Sequence, residues 1–142
     1  MKTGLLSIHD KYAKRIFAGT KRFEFRRRAP DVQLPTRFLV YVPGRRRLAG
    51  EITVHEILRG SPTHVWEETK EHAGIARREY RQYFHGRSEA CALAIQSYQE
   101  YEDQACLDTL RARVPGGFYP PQYLRWLQPD LVALMRPQSV TA

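Results

Sequence analysis

Cysteine, methionine and tryptophan are scarce in this sequence, with two of each among 142 residues. Cys91 and Cys106 form no CxxC and no Cys/His spacing, which argues against a disulfide framework and against a structural zinc site. Cys91, inside an apolar run, is expected to be a small core residue. No stretch approaches the roughly 18 apolar residues that a membrane span needs, and the apolar run after Met1 is too short for a signal peptide. The expectation is a soluble cytoplasmic protein with no membrane partner. His9, His55, His64, His72 and His85 are scattered, with no HExxH and no carboxylate at ligand spacing, so neither a metal nor a cofactor is expected. Gly116-Gly117 lacks the following Lys-Ser/Thr of a phosphate loop, and no serine stands in a nucleophile elbow. Acidic residues are in deficit: 15 Asp plus Glu against 23 Lys plus Arg leave a net charge of +8. Such an excess favours polyanions, because binding phosphates releases their counterions.

The order of elements reads as α+β. Leu5–Ile8 is a strand, and Lys11–Ala18 a short helix with Tyr12, Ile16 and Phe17 on one face and Asp10 as its expected N-cap. Gly19 ends it. Strand patterns follow at 23–28, at Thr36–Val42 and, with a bend or bulge, at Leu48–Leu58; the turn Pro43-Gly44-Arg45 makes the last two a hairpin with an arginine tip. Ser61-Pro62 opens a helix to about His72, with Val65, Trp66 and Thr69 inward. A second helix runs from Ala76 to Phe84, where Ala76, Tyr80, Tyr83 and Phe84 form a stripe read as core. Ala90–Ile95 is a buried strand, Cys106–Arg113 a short helix, 115–121 a Pro/Gly loop and Pro129–Met135 a closing helix. No repeat or linker divides the chain. One domain over 1–137 is expected, with 138–142 a disordered tail. Nothing in the pattern bears on oligomeric state.

The segment Gly19-Thr20-Lys21-Arg22-Phe23-Glu24-Phe25-Arg26-Arg27-Arg28 carries the most chemistry. On a strand, Phe23 and Phe25 enter a core while Glu24 and Arg26 share the opposite face. Lys21 follows a turn, so it either joins Glu24 or packs beside Phe23. If Lys21 and Glu24 meet in a cleft, either becomes a candidate for proton transfer. Arg26 offers a planar fork for a phosphate or a base edge. Arg26-Arg27-Arg28 and Arg45-Arg46-Arg47, with Arg22 and Arg37, are candidates to border one groove in which phosphates meet arginines and bases stack on rings. Gln122, Tyr123 and Arg125, stiffened by Pro120-Pro121, are further candidates for contact with a ligand. The alternative for the whole set is a solvated sheet face with weak ion pairs.

These residues resemble the ASCH domain, a relative of PUA domains. The likeness rests on Leu5-Leu6-Ser7-Ile8, the short helix and then Gly19-x-Lys21-x-x-Glu24-x-Arg26. It continues through Val54-x-Glu56-Ile57-Leu58, the Trp66 helix, Gly86-Arg87 and Pro120-Pro121-Gln122-Tyr123-Leu124-Arg125-Trp126-Leu127. The resemblance implies a PUA-like curved mixed sheet or partly closed β-barrel flanked by short helices, with a cleft that binds RNA, single-stranded nucleic acid or a nucleotide. Some relatives remove an acetyl group from N4-acetylcytidine with a lysine, a threonine and a glutamate. Lys21 matches the lysine, Glu24 replaces the threonine, and the later carboxylate falls near Ala76. Others are ribonucleases, for which Lys21, Tyr41 and the histidines are possible participants. As a hydrolase, the chain would use Lys21 to hold an oxyanion or phosphate and Glu24 as general base. A protein-interaction module using the arginine hairpin and the Trp126 segment is the third reading.

Overall fold

The computed structural model describes residues 2–140. Its strands are β1 (Thr3–Ser7), β2 (Phe23–Arg26), β3 (Thr36–Val42), β4 (Arg47–Gly60), β5 (Ala90–Glu100) and β6 (Leu124–Leu127); its helices are α1 (Asp10–Phe17), α2 (Pro62–Thr69), α3 (Arg77–Tyr83), α4 (Leu107–Arg113) and α5 (Pro129–Met135), with a 3-10 turn at Lys70–His72 after α2. The strands form one mixed sheet in the order β2-β5-β4-β3-β1-β6. Only β1 and β3 run parallel among these pairs. β4 is long enough to pair with β3 over 47–54 and with β5 over 50–60, and register shifts around Val54 bend it. An extra residue on one strand kinks it and tightens the local twist, which curves the sheet.

The α+β expectation holds, but the sheet is open and not a closed barrel, since β2 and β6 remain its edges. The segment 124–127, read from sequence only as an anchor, is itself a strand paired antiparallel with β1. The α1 cap also differs: His9 Nδ1 accepts from the Lys11 amide, whereas Asp10 is the first helical residue and pairs with Arg45. That guanidinium holds the Asp10 carboxyl below its ordinary pKa.

Alternation sorts the side chains between the two faces of the sheet. Leu5, Leu39, Tyr41 and Leu48 meet Leu107, Leu110, Phe118 and Met135 under α4 and α5, while their neighbours Leu6, Phe38, Val40 and Ile52 meet Ala13 and Ile16 of α1. A third cluster joins Phe25 to Val65, Tyr80, Phe84 and Ala92 beneath α2 and α3. Of the expected tail, residues 141 and 142 lie outside those described, and Val140 packs against the first cluster. Tyr41 is buried to 1% exposure against Phe118, so it packs in the core and does not line the cleft described below.

One buried polar network ties α5 to the sheet. Glu51 on β4 accepts from the Tyr101 hydroxyl at 2.7 Å and from Arg136 at 2.9 and 3.1 Å, and pairs with Arg37 at 3.1 Å. Burial and this carboxylate push the Tyr101 hydroxyl far above its ordinary pKa. Arg37, a candidate for the groove, is therefore spent on Glu51.

Candidate functional site

Where the two sheet edges approach, a side chain does what a backbone ladder would do in a barrel. Arg26, on edge strand β2, donates to the Ser7 carbonyl at the end of β1 at 3.0 Å and to the Tyr123 carbonyl just before β6 at 3.4 Å. Its NH2 also meets Glu24 Oε2 at 2.8 Å, with both side chains 9% exposed. Only a planar fork with several fixed donors reaches acceptors on three separate segments. Arg26 Nε is buried with no protein partner. The Tyr123 hydroxyl donates to the Arg28 carbonyl and Ser7 Oγ to the Pro121 carbonyl, so the loop before β6 is pinned across the same gap.

A cleft of about 680 Å³ opens beside this clasp. Of the residues singled out from sequence, Lys21, Glu24, Arg26, Arg28, Gln122 and Tyr123 line it. The others stand elsewhere. Arg45 is engaged by Asp10 and Glu100, Arg47 donates to the Gln104 carbonyl, Arg46 is exposed on the hairpin turn, and Arg125 lies in the β6 ladder opposite Leu5. The cleft also takes in Arg27, expected with its neighbours to border a groove, and His9, together with Ser7, Tyr12, Tyr83 and Arg87, which were not among the candidates. Helical spacing puts Tyr83 in the core stripe of α3; Tyr80 and Phe84 are core, but Tyr83 is half-buried at the cleft wall. The charge of Arg27 next to Arg26 was the available signal for that wall.

Lys21 is 2% exposed, on the same side as Glu24. Its Nζ donates to the Ala73 carbonyl at 2.8 Å and lies 4.7 Å from the Phe25 ring centre and 5.2 Å from that of Tyr12. Burial lowers its pKa from 10.5 to about 8, partly offset by the field of Glu24. Glu24 takes Arg26, not Lys21, as its ion-pair partner, and its Oε1 accepts nothing from the protein. Tyr12 donates to Glu79 at 2.6 Å, as does Lys11 at 2.8 Å, which fastens α1 to α3. Among the described residues no three of His, Cys, Asp and Glu come together as a metal set.

Gly74 makes room for Lys21. It has φ +64°, and a Cβ there would stand 2.3 Å from Lys21 Cβ and 2.8 Å from its Cα. Gly74→Ala is expected to cost about 1–3 kcal/mol in backbone strain alone and to push Lys21 out of its seat. Urea titration checks the first effect and the ammonium chemical shift of Lys21 the second; an unchanged midpoint would refute the steric account.

Comparison with known proteins agrees with this fold. The model of the ASCH domain matches residues 6–109. A curated ASCH domain-containing ribonuclease of Zymomonas mobilis is 30% identical over 130 residues, covering 91% of this chain and 86% of that protein. The crystal structure of ASCH from Zymomonas mobilis superposes with a TM-score of 0.86 at 29% identity, covering 94% of this chain and 92% of that one. The N-terminal domain of Staphylothermus marinus McrB, at 13% identity and TM-score 0.61 over 94% of this chain and 92% of its own, shares the fold.

Proposed function

The chain belongs to the ASCH domain family, and from that premise we propose that its cleft binds RNA, as a single strand or an unpaired nucleotide. The observation that carries this reading is the charge left over in the cleft. Glu24 is its only acid and is already neutralised by Arg26, so Arg27, Arg28 and Arg87 face the opening without a carboxylate partner, and Lys21 lies buried in the wall behind them. Uncompensated cations beside Tyr12, Tyr83 and Tyr123 suit a phosphate backbone carrying unstacked bases. No helix among the described residues is long and apolar enough to cross a membrane.

The expected result is RNA affinity that falls steeply with salt. Arg28→Gln or Arg87→Gln should lower the slope of log affinity against log salt by roughly one phosphate contact, whatever the RNA sequence. Fluorescence anisotropy at several salt concentrations measures it. Binding insensitive to salt, or absent, would overturn the reading.

The seat of Lys21 supports a second reading, cleavage of the bound RNA, which the curated Zymomonas relative is named for. In it the ribose 2′-oxygen attacks the adjacent phosphorus, the bond from phosphorus to the 5′-oxygen breaks, and a 2′,3′-cyclic phosphate and a 5′-hydroxyl result. Glu24 Oε1 takes the proton of the 2′-hydroxyl, and the Lys21 ammonium stabilises the phosphorane and gives a proton to the leaving oxygen. An amine with a pKa of about 8 is well matched to giving up that proton near neutral pH.

A further inference from the structure

Resting on the RNA-binding reading, we propose that the mouth of the cleft is a clamp for one unstacked nucleobase, built from the Arg27–Tyr83 pair and Tyr123, with Gln122 reading the edge of the base. The Arg27 guanidinium carbon lies 4.3 Å from the centre of the Tyr83 ring. Its Nε and NH2 both donate to the Tyr83 carbonyl, at 3.2 and 3.0 Å. Two bonds to one acceptor fix the guanidinium plane although the residue is exposed, so the rotamer freedom that stacking would cost is already lost. A flat cation held in this way is a ready surface for a base.

Tyr123 is fixed at both ends. Its hydroxyl is tied to the Arg28 carbonyl, and its ring lies beneath the Arg26 guanidinium at 5.6 Å. It remains half-buried and in the cleft wall, as does Tyr83. Desolvation raises the pKa of both hydroxyls, in keeping with rings that stand out of bulk water.

Gln122 completes the arrangement. It lines the cleft, is exposed, and makes no hydrogen bond within the protein. An amide is one of the few side chains that present a donor and an acceptor side by side, as the Watson–Crick edge of a base requires. Its position is set by the pinned Pro121 before it and the anchored Tyr123 after it. A backbone-only site would need the arginines but neither a fixed stacking plane nor an unpartnered amide between two tethered residues.

The test compares a short single-stranded RNA, the same ribose-phosphate chain with abasic residues, and a blunt RNA duplex, by fluorescence anisotropy at one salt concentration. Base-bearing single strand is expected to bind about 5- to 100-fold more tightly than the abasic chain, the effect of one base–aromatic stack. Arg27→Lys keeps the charge and should abolish most of that preference, as should Tyr123→Ala. Gln122→Ala should retain the preference over the abasic chain while levelling the affinities for homopolymers of different bases. Equal binding of base-bearing and abasic chains by the wild type, or a full preference in Arg27→Lys, overturns the clamp and leaves RNA binding standing. Failure to bind any of the three probes overturns both.

Discussion

Replacing Glu51 with alanine is expected to be the most damaging single change to the stability of this fold. Glu51 is 8% exposed and is the shared acceptor for Arg37, Arg136 and the Tyr101 hydroxyl. Removing one member of a buried ionic network leaves uncompensated charge behind, at about 3–5 kcal/mol. For a chain of this size that corresponds to a fall in Tm of roughly 8–20 °C. Arg37 would then lie between β3 and β4 without its carboxylate, and α5 would lose the tie that Arg136 makes to Glu51. Glu51→Gln keeps the acceptor for Tyr101 and should cost less. Urea unfolding followed by circular dichroism decides the matter: a loss below about 1 kcal/mol for Glu51→Ala would mean that the guanidiniums find water on relaxation. Because the network lies apart from the cleft, binding by the folded fraction should be unaffected.

Lys21 carries the second large expectation, and here stability and function part company. Lys21→Met fills nearly the same volume, removes a cation from a desolvated seat and leaves only the Ala73 carbonyl without its donor. The fold should tolerate it, with Tm within a few degrees of the wild type. RNA cleavage, if the chain performs it, should fall by about 100- to 1000-fold, the range for losing one donor to a developing oxyanion. The pH dependence has a defined sign. The ammonium form prevails below about 8, so cleavage should decline as pH rises through that value. Stability moves the other way. The folded pKa lies below the ordinary 10.5, so between about 8 and 10.5 the unfolded chain binds more protons at this residue, and its contribution to stability rises with pH across that window. Single-turnover cleavage of a labelled RNA from pH 6 to 10 measures the first effect. A rate that keeps climbing beyond pH 9 would assign Lys21 the opposite role, as a base.

The sequence made the local parts of this site readable. Alternation along 23–26 placed Phe25 in a core and Glu24 with Arg26 on the opposite face, and strand geometry alone suffices for that. The bend in β4, the Ser61 cap and the closing helix were likewise matters of short-range pattern. What failed to show was whatever depends on distant residues meeting. Nothing near Arg26 indicates that its fork will find the carbonyl of Tyr123, 97 positions away. Arg45 looked like a ligand contact because Asp10 is remote in the chain, and Tyr83 looked like core because helical spacing does not distinguish a core face from the adjoining wall of a cleft. Lys21 remained ambiguous because the preceding Gly19 adopts φ +82°, which breaks the alternation that would have oriented it.

The gap between β2 and β6 has a consequence for how such a protein can change. In a barrel closed by a backbone ladder, an insertion before the last strand shifts every pairing beyond it, and one altered residue is felt all around the ring. Here, among the described residues, the two edges share only side-chain bonds through Arg26, Tyr123 and Ser7, while β6 takes its register from β1. Apart from Phe118, which is core, residues 115–123 can therefore lengthen, shorten or be exchanged without re-registering the sheet. The wall that carries Gln122 and Tyr123 is a replaceable part, and ligand preference can drift along it while the fold stays put.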